Sequence, residues 1–533
     1  MTYNFFTTPK QTPQTQPIPG RETEMIRGRS GGYMFDAGFW GMLRRCLLLG
    51  TAENSFYADK RELTQDFADT VQICVDANAR RVAEEIVYAS DGRAINNSAP
   101  LFALTLLSMG ESPEAKAAFL EIFPKVVRTA SHFYEWLSYS KGMRGFGKVV
   151  RQAGTAWLSN PDAKRLAYQL LKYQQRQGFS SRDILRLFHV KPVSEEHQAL
   201  FQWVSKGWDD VPQHPPSDTM TQIWWYERVK RQPSLTCKAI TKGRLTHEMI
   251  APIGKMDADA WRYLLKDMPI GALLRNLGSL THLGVLQSHK GKELNHIESV
   301  LTNKQYLRKG RIHPIDVLKA LKTYQSGGKL GRSSKTWNPV SRIVDILDKA
   351  LELSFETVQP TDKVFLHAVD VSGSMGAYKV GSIGLSCCEI ATTMALATAK
   401  AERNYAIRGF STEFKKLGIT ARDSFRSAMR KAQNQNFGGT NASVAYDWAI
   451  HQKFYTDVFC FWTDCESWAG RRHPSQGLQE YRRKVNPHAK AVYVTLVPNR
   501  ITLVDPKDSQ SWDIHGFDPS APRVIQMIAK GDV

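Results

Sequence analysis

Apolar residues in the first two thirds of the chain recur at helical spacing. Phe67, Val71, Cys74, Val75, Val82 and Ile86 fall near one face of a helix of 3.6 residues per turn. Shorter stretches of the same kind run over Leu101–Leu107, Ala115–Phe123, Trp261–Leu265 and Val317–Tyr324. Strict alternation of apolar and polar residues is nearly absent between about Phe35 and Leu353. Many helices joined by short loops predict an all-α solenoid of stacked pairs, although no repeat motif is legible. Ahead of it, a polar segment broken by Pro13, Pro17, Pro19 and Gly20 predicts a flexible arm over residues 1–30.

The pattern changes near Thr357–Asp362. A β run, Lys363–Val369, ends on Asp370 and is followed by a helical stretch, Ile383–Ala401, and a strand, Tyr405–Phe410. The alternation continues with helix Ser424–Ala432, strand Val458–Trp462, helix Leu478–Val485 and strand Ala491–Val497. Strands alternating with helices predict a parallel, doubly wound α/β sheet. The expected organisation is therefore multi-domain: an arm over 1–30, a helical domain over 31–357 and an α/β domain over 358–533.

Composition adds a partner class. Lys and Arg number 71 against 51 Asp and Glu, a net charge of +20. Residues 361–533 carry 22 basic and 16 acidic side chains, so fourteen of the excess charges fall in the first 360 residues. Such a surface attracts polyanions, because each neutralised phosphate releases counterions. No run of 18 apolar residues occurs, which predicts no membrane span. The polar start lacks the apolar stretch of a signal peptide, and seven cysteines, an odd number, make no disulfide framework. Reduced thiols in a cytoplasm are the expectation.

The first C-terminal strand runs directly into Asp370-Val-Ser372-Gly-Ser374. Ligands of open α/β sheets bind at the carboxyl ends of strands, where this loop lies. One carboxylate and two hydroxyls on alternate residues offer three oxygens to a hard cation. Thr440, after two glycines, and Asp464, after strand Val458–Trp462, supply another hydroxyl and a second carboxylate. Few charged ligands and room for waters suit Mg²⁺, with Mn²⁺ as the substitute.

Within the helical part, a helix predicted from an Asn160-Pro161 start to Gly178 carries Arg165, Lys172 and Arg176 on one side and Leu166, Leu170 and Tyr173 on another. Ser180-Ser-Arg-Asp183 reads as a capping box opening a second helix with Arg182, Arg186 and His189 on one face. Arg144, Lys148 and Arg151 add a nearby basic helix. Two aligned basic stripes could follow a phosphate backbone; solvated faces of the same composition are also common.

Several segments carry a family resemblance. Asp-x-Ser-x-Ser with Thr440 and Asp464 resembles the metal-ion-dependent adhesion site of von Willebrand factor A (vWA) domains. Lys172–Phe179, Asp183–Pro192, Met268–Gly278, Arg311–Pro314 and Gly31-Gly-Tyr33 are similar to segments of Ro ribonucleoproteins, with loops of bacterial character. The resemblance spans nearly the whole chain. It implies a ring of HEAT-like helical repeats, the TROVE module, followed by a vWA domain. In that family a small noncoding Y-like RNA binds an outer basic surface, and single-stranded ends of misfolded RNA enter the central hole. Lys172, Arg176 and His189 match positions that contact Y RNA. In the vWA family Ser372 and Ser374 would bind the metal directly, with Thr440 and Asp464 direct or through water and Asp370 helping to hold the ion. One coordination position is then left for an acidic group of a protein partner; an exoribonuclease is a further candidate associate.

Enzyme motifs are lacking. Gly145–Thr155 is not a phosphate-binding loop, His247-Glu248 lacks the second histidine of a zinc protease, and Cys460 and Cys465 have no second pair nearby. Cys387-Cys388 reads as helix core. The expected function is a non-catalytic RNA chaperone or adaptor in RNA quality control. The alternative is a metal-dependent protein-interaction scaffold without specific RNA binding.

Overall fold

The computed structural model describes residues 11–50, 60–159, 162–286, 291–329, 335–355, 360–377, 379–380, 385–433, 438–515 and 520–532. The Asn160-Pro161 helix start therefore lies outside the described residues, and the helix is seen from Ala163, capped by the Asp162 side chain.

From Gly38–Leu49 to Ser341–Leu353 the described elements are helices, apart from one two-residue hairpin. Each helix packs on its neighbour or on the helix two further along the chain, the arrangement that buries a continuous core in stacked repeats. The long element Lys60–Ser90 is two helical runs meeting at a kink at Asn78 (φ −164°, ψ 92°). The six apolar residues that predict this element are all buried, Phe67, Val71, Val82 and Ile86 to 1% exposure or less. The array then returns on itself. Asp91, in the turn after this long element, pairs with Arg311 at 3.1 Å, and the Arg93 carbonyl contacts His313 Nε2 at 3.1 Å across 220 residues. These contacts join the early helices to the late ones and close the array into a ring.

The C-terminal part is a six-stranded sheet. Its strands are β1 (Val364–Asp370), β2 (Asn404–Phe410), β3 (Phe414–Lys416), β4 (Val458–Thr463), β5 (Lys490–Thr495) and β6 (Ser511–His515), in the order β6-β5-β4-β1-β2-β3. All pairings are parallel except β2 with β3, an antiparallel edge. β4 is buried at every position and β1 at all but its first, as expected for central strands covered on both faces. The chain reverses direction across the sheet at β1 and β4, which puts the Asp370 and Asp464 loops side by side at the carboxyl edge.

The start of the chain departs from expectation. Residues 11–30 are not a free arm: Thr12, Gln14 and Met25 are buried. Met25–Arg27 pairs with Tyr33–Asp36, and Ile501–Thr502 adds a third strand from the C-terminal part. The prolines do exclude an α-helix here, but buried polar and apolar contacts hold the segment in a series of turns, a short 3-10 helix over Glu22–Glu24 and the strand Met25–Arg27. Arg21 completes the seam with an ion pair to Asp505 at 2.6 Å.

A candidate metal centre and a basic surface

Three loops at the sheet's carboxyl edge bring Asp370, Ser372, Ser374, Thr440 and Asp464 together, all buried. Asp370 accepts hydrogen bonds from the Ser372 amide at 3.0 Å and the Thr463 hydroxyl at 2.7 Å. The Ser372 and Ser374 hydroxyls stand 3.1 Å apart, and Asp464 accepts from the Glu466 amide at 2.9 Å. Burial pushes the Asp370 carboxyl up to about 7, and the neighbouring Asp464 charge adds to the shift. Burial also raises Asp464, against the hydrogen bond from Ser374. Among the described residues no lysine or arginine pairs with either carboxylate. Two buried carboxylates hydrogen-bonded to hydroxyls and amides, with Glu466 close to Asp464, form an oxygen donor set that a hard divalent cation would neutralise. Among the described residues no group of three His, Cys, Asp or Glu forms a competing site. Cys460 and Cys465 are buried, their thiols pushed up by burial, and carry no zinc-like constellation.

The residues that hold these loops are partly invisible to sequence reasoning. Gln14 is fully buried between two of them. Its amide nitrogen donates to Asn441 Oδ1 at 2.9 Å and the Arg472 carbonyl at 3.0 Å, and its amide oxygen accepts from Ser467 Oγ at 2.7 Å. Gly470 makes room, since a Cβ there would stand 2.2 Å from Gln14 Nε2. A second clamp is Glu466, whose carboxylate accepts from the Ser30 amide at 3.0 Å. Gly32 lies so close to this loop that a Cβ would meet the Ser467 carbonyl at 2.2 Å. Thr463, which orients Asp370, had one available signal: a hydroxyl at the end of a buried strand immediately before Asp464.

On the helical ring, Lys148, Arg151, Arg165, Arg176, Arg182, Arg186 and His189 are exposed. Helices Lys148–Leu158 and Ser181–Phe188 cross where Gly154 meets the Phe188 ring, at a distance that no Cβ could occupy. Arg151, one turn before Gly154, and His189, directly after Phe188, flank this crossing. The predicted capping box is present, with Ser180 and Asp183 bonded reciprocally. His189 ends that helix in the left-handed region (φ 48°, ψ 42°).

Three residues, Arg176, Lys172 and Arg144, are placed differently from expectation. The first helix stops at Lys172 and does not reach Gly178. Gln175–Arg176 and Phe179–Ser180 instead form a hairpin through Gln177 (φ 52°) and Gly178 (φ 77°). Two consecutive positive φ angles make the tight turn whose twist suits a hairpin, so Arg176 projects from a strand. Lys172 is only 12% exposed, 3.5 Å from Glu248 and over the rings of Tyr168 and Tyr173. Arg144 is half-buried, with its guanidinium on the Ser108 carbonyl and hydroxyl. Lys141, missed in the sequence, joins the surface 5.6 Å above the Phe179 ring of the hairpin.

A closed helical array joined to a metal-type α/β sheet defines a two-part protein of the TROVE and vWA class. Residues 112–251 and 244–329 match the TROVE domain, and residues 364–529 match the Ro60 vWA domain. The RNA-binding protein RO60 of Deinococcus radiodurans is 31% identical over 531 residues, covering 98% of each chain. That of Caenorhabditis elegans is 27% identical over 586 residues, covering 95% of this chain and 90% of its own. The crystal structure of the D. radiodurans RO (RSR) protein superposes with a TM-score of 0.67 at 30% identity, covering 93% of this chain and all of that one. The chain belongs to the Ro family, as a bacterial-type member.

Proposed function

We propose that this protein binds RNA without acting on it chemically, as an RNA chaperone or adaptor in RNA quality control. A small, structured Y-like RNA would lie across the basic surface, and the single-stranded end of a misfolded RNA would enter the ring. The observation that carries this reading is the set of seven exposed cationic or titratable side chains on consecutive elements between residues 148 and 189. Among the described residues the acidic side chains interleaved with them are Asp162 and Asp183, and each is spent on capping its own helix. The relatives' description as RNA-binding proteins supports it.

The vWA part would hold Mg²⁺ or Mn²⁺ through Asp370, Ser372, Ser374, Thr440 and Asp464, the ion offering a Lewis-acid position to an acidic group of a protein partner. An exoribonuclease is a fitting associate, because RNA quality control needs a nuclease and no base–nucleophile pair stands out among the described residues. The decisive experiment is purification of the native protein followed by sequencing of copurified RNA. Small structured RNAs recovered at physiological salt support the proposal. A protein free of RNA, with no affinity for structured or single-stranded RNA, would leave only a metal-dependent scaffold.

A further inference from the structure

Away from the basic surface and the metal loops, helices Ile270–His282 and Pro314–Gln325 enclose a cleft of about 550 Å³. Its inner side is apolar, made by Leu274, Leu277 and the indole of Trp337. The indole is fixed in place: its Nε1 donates to the Tyr324 carbonyl at 3.0 Å, and its ring stacks on Tyr324 at 6.0 Å and 29°. Gly278 admits it, since a Cβ there would lie 2.5 Å from the ring. Four basic side chains line the cleft: Arg311 is paired with Asp91 and Lys335 donates to Ser279 Oγ at 3.3 Å, and the other two are Arg275 and Lys319, one from each helix. Among the described residues neither makes a hydrogen bond or an ion pair. Asp316, one turn before Lys319, also lines the cleft. The residue is exposed to solvent, and Lys319 and Arg275 stand close enough for their charges to favour its carboxylate.

These groups restrict what can bind. Two cations without partners call for an anion, but bare phosphate would leave most of the volume and the apolar wall unused. A ligand with one anionic group, one flat apolar face and one donor edge satisfies all three walls. We propose that the cleft is a subsite for one purine or cytosine nucleotide of an RNA strand. Its phosphate would meet Arg275 and Lys319, its base would lie on Leu274 and Trp337, and its amino edge would donate to Asp316. Guanine fits best, because its adjacent N1–H and N2–H donors match both oxygens of a carboxylate. Uracil has no amino group: its one edge donor, N3–H, is flanked by two carbonyls that the Asp316 carboxylate would repel. This assignment deepens the RNA-binding reading and rests on it for the strand, not for the nucleotide.

The test is calorimetric titration of the full chain with guanosine 5′-monophosphate, uridine 5′-monophosphate and guanosine, alongside a guanine-rich single-stranded RNA. Guanosine monophosphate should bind about tenfold or more tightly than either of the other two, the scale of one well-made base or phosphate contact. Arg275→Gln with Lys319→Gln should remove the advantage of nucleotide over nucleoside. Asp316→Asn should remove the preference for guanine over uracil. Both cations lack partners among the described residues, so melting temperatures should be unchanged, which separates lost contact from lost fold. Equal affinity for the two nucleotides, or no response to the double substitution, would overturn the proposal. If single-stranded RNA still bound in that case, the cleft alone would be misassigned. If guanosine monophosphate bound but no RNA did, the cleft would stand and the RNA reading would fall.

Discussion

At the scale of single residues, the Asp370–Asp464 pair carries a pH signature. The folded Asp370 carboxyl lies at about 7, against about 3.9 for an unfolded aspartate. Between those values the unfolded chain releases a proton that the folded protein keeps. Stability is therefore fully present below about pH 4 and falls as pH rises toward 7, by on the order of 4 kcal/mol at most. In EDTA the melting temperature of the wild type should fall across that window by several degrees relative to Asp370→Asn, as read by scanning fluorimetry. Added Mg²⁺ should restore it most above pH 7, where both carboxylates are ionised. An EDTA profile parallel to that of the variant would refute the like-charge account. Gln14 gives a second test. Gln14→Leu strands the Asn441, Arg472 and Ser467 partners inside the protein, at a cost of about 1–3 kcal/mol. It should also weaken Mg²⁺ in calorimetry while leaving RNA affinity intact. The oxygen-rich cluster was legible because three of its residues lie within five positions, but Gln14 was not: its bond to Ser467 spans 453 residues.

At the scale of elements, the hairpin separates two residues that sequence spacing put on one stripe. Arg176 is exposed on a strand, so Arg176→Ala should leave stability within about 0.5 kcal/mol. It should lower the slope of log RNA affinity against log salt by about 0.9, the share of one phosphate contact. Lys172→Ala should behave differently. Burial pushes the Glu248 carboxyl up, yet the hydrogen bond from His247 and the charge of Lys172 hold it well below the usual carboxylate range. Removing the lysine leaves a half-buried carboxylate without its cation, so about 1–3 kcal/mol should be lost. Chemical denaturation of the two single variants, run beside a salt titration of RNA binding, checks both. If the two were alike in stability and salt slope, the hairpin would be the wrong account of this surface. The helical periodicity of the ring and the strand–helix alternation of the sheet were readable because each is local. The helix end at Lys172 was misplaced because Gln177-Gly178 looks like a helix stop and acts as a hairpin turn. Helix Val444–His451 and strand Ser511–His515 were missed for a related reason: both are short, and their polar residues obscure the period.

At the scale of the whole molecule, a buried side chain reaches from the ring into the sheet. Arg45, on helix Gly38–Leu49, is 0% exposed and enters the C-terminal part. It donates to the Asn499 side chain and carbonyl at 2.8 Å and to the Ile501 carbonyl at 2.5 Å, and it pairs with Asp513. Lys322 and Glu389 make a second link at 2.8 Å. A buried arginine so far from its partners in sequence could not be foreseen from pattern, which marks Arg45 only as a polar interruption in Leu43–Leu49. Burial pushes the Asp513 carboxyl up, but Arg45 and His515 outweigh it and hold the group well below its ordinary value. Its contribution to stability is therefore present above about pH 4 and is lost as pH falls further. Arg45→Met leaves Asp513 buried and unpaired, which should cost about 3–5 kcal/mol, whereas Arg45→Met with Asp513→Leu should recover most of that loss. If this arginine makes the two parts cooperative, calorimetry at neutral pH should show one unfolding transition in the wild type and the double variant. The single variant should show two, with the sheet melting first because the uncompensated charge lies there. A single variant that still unfolds in one transition at the wild-type temperature would mean that the remaining contacts hold the ring and the sheet together, among them the N-terminal seam, Lys322–Glu389, Lys400–Glu352 and Phe355 on Phe425.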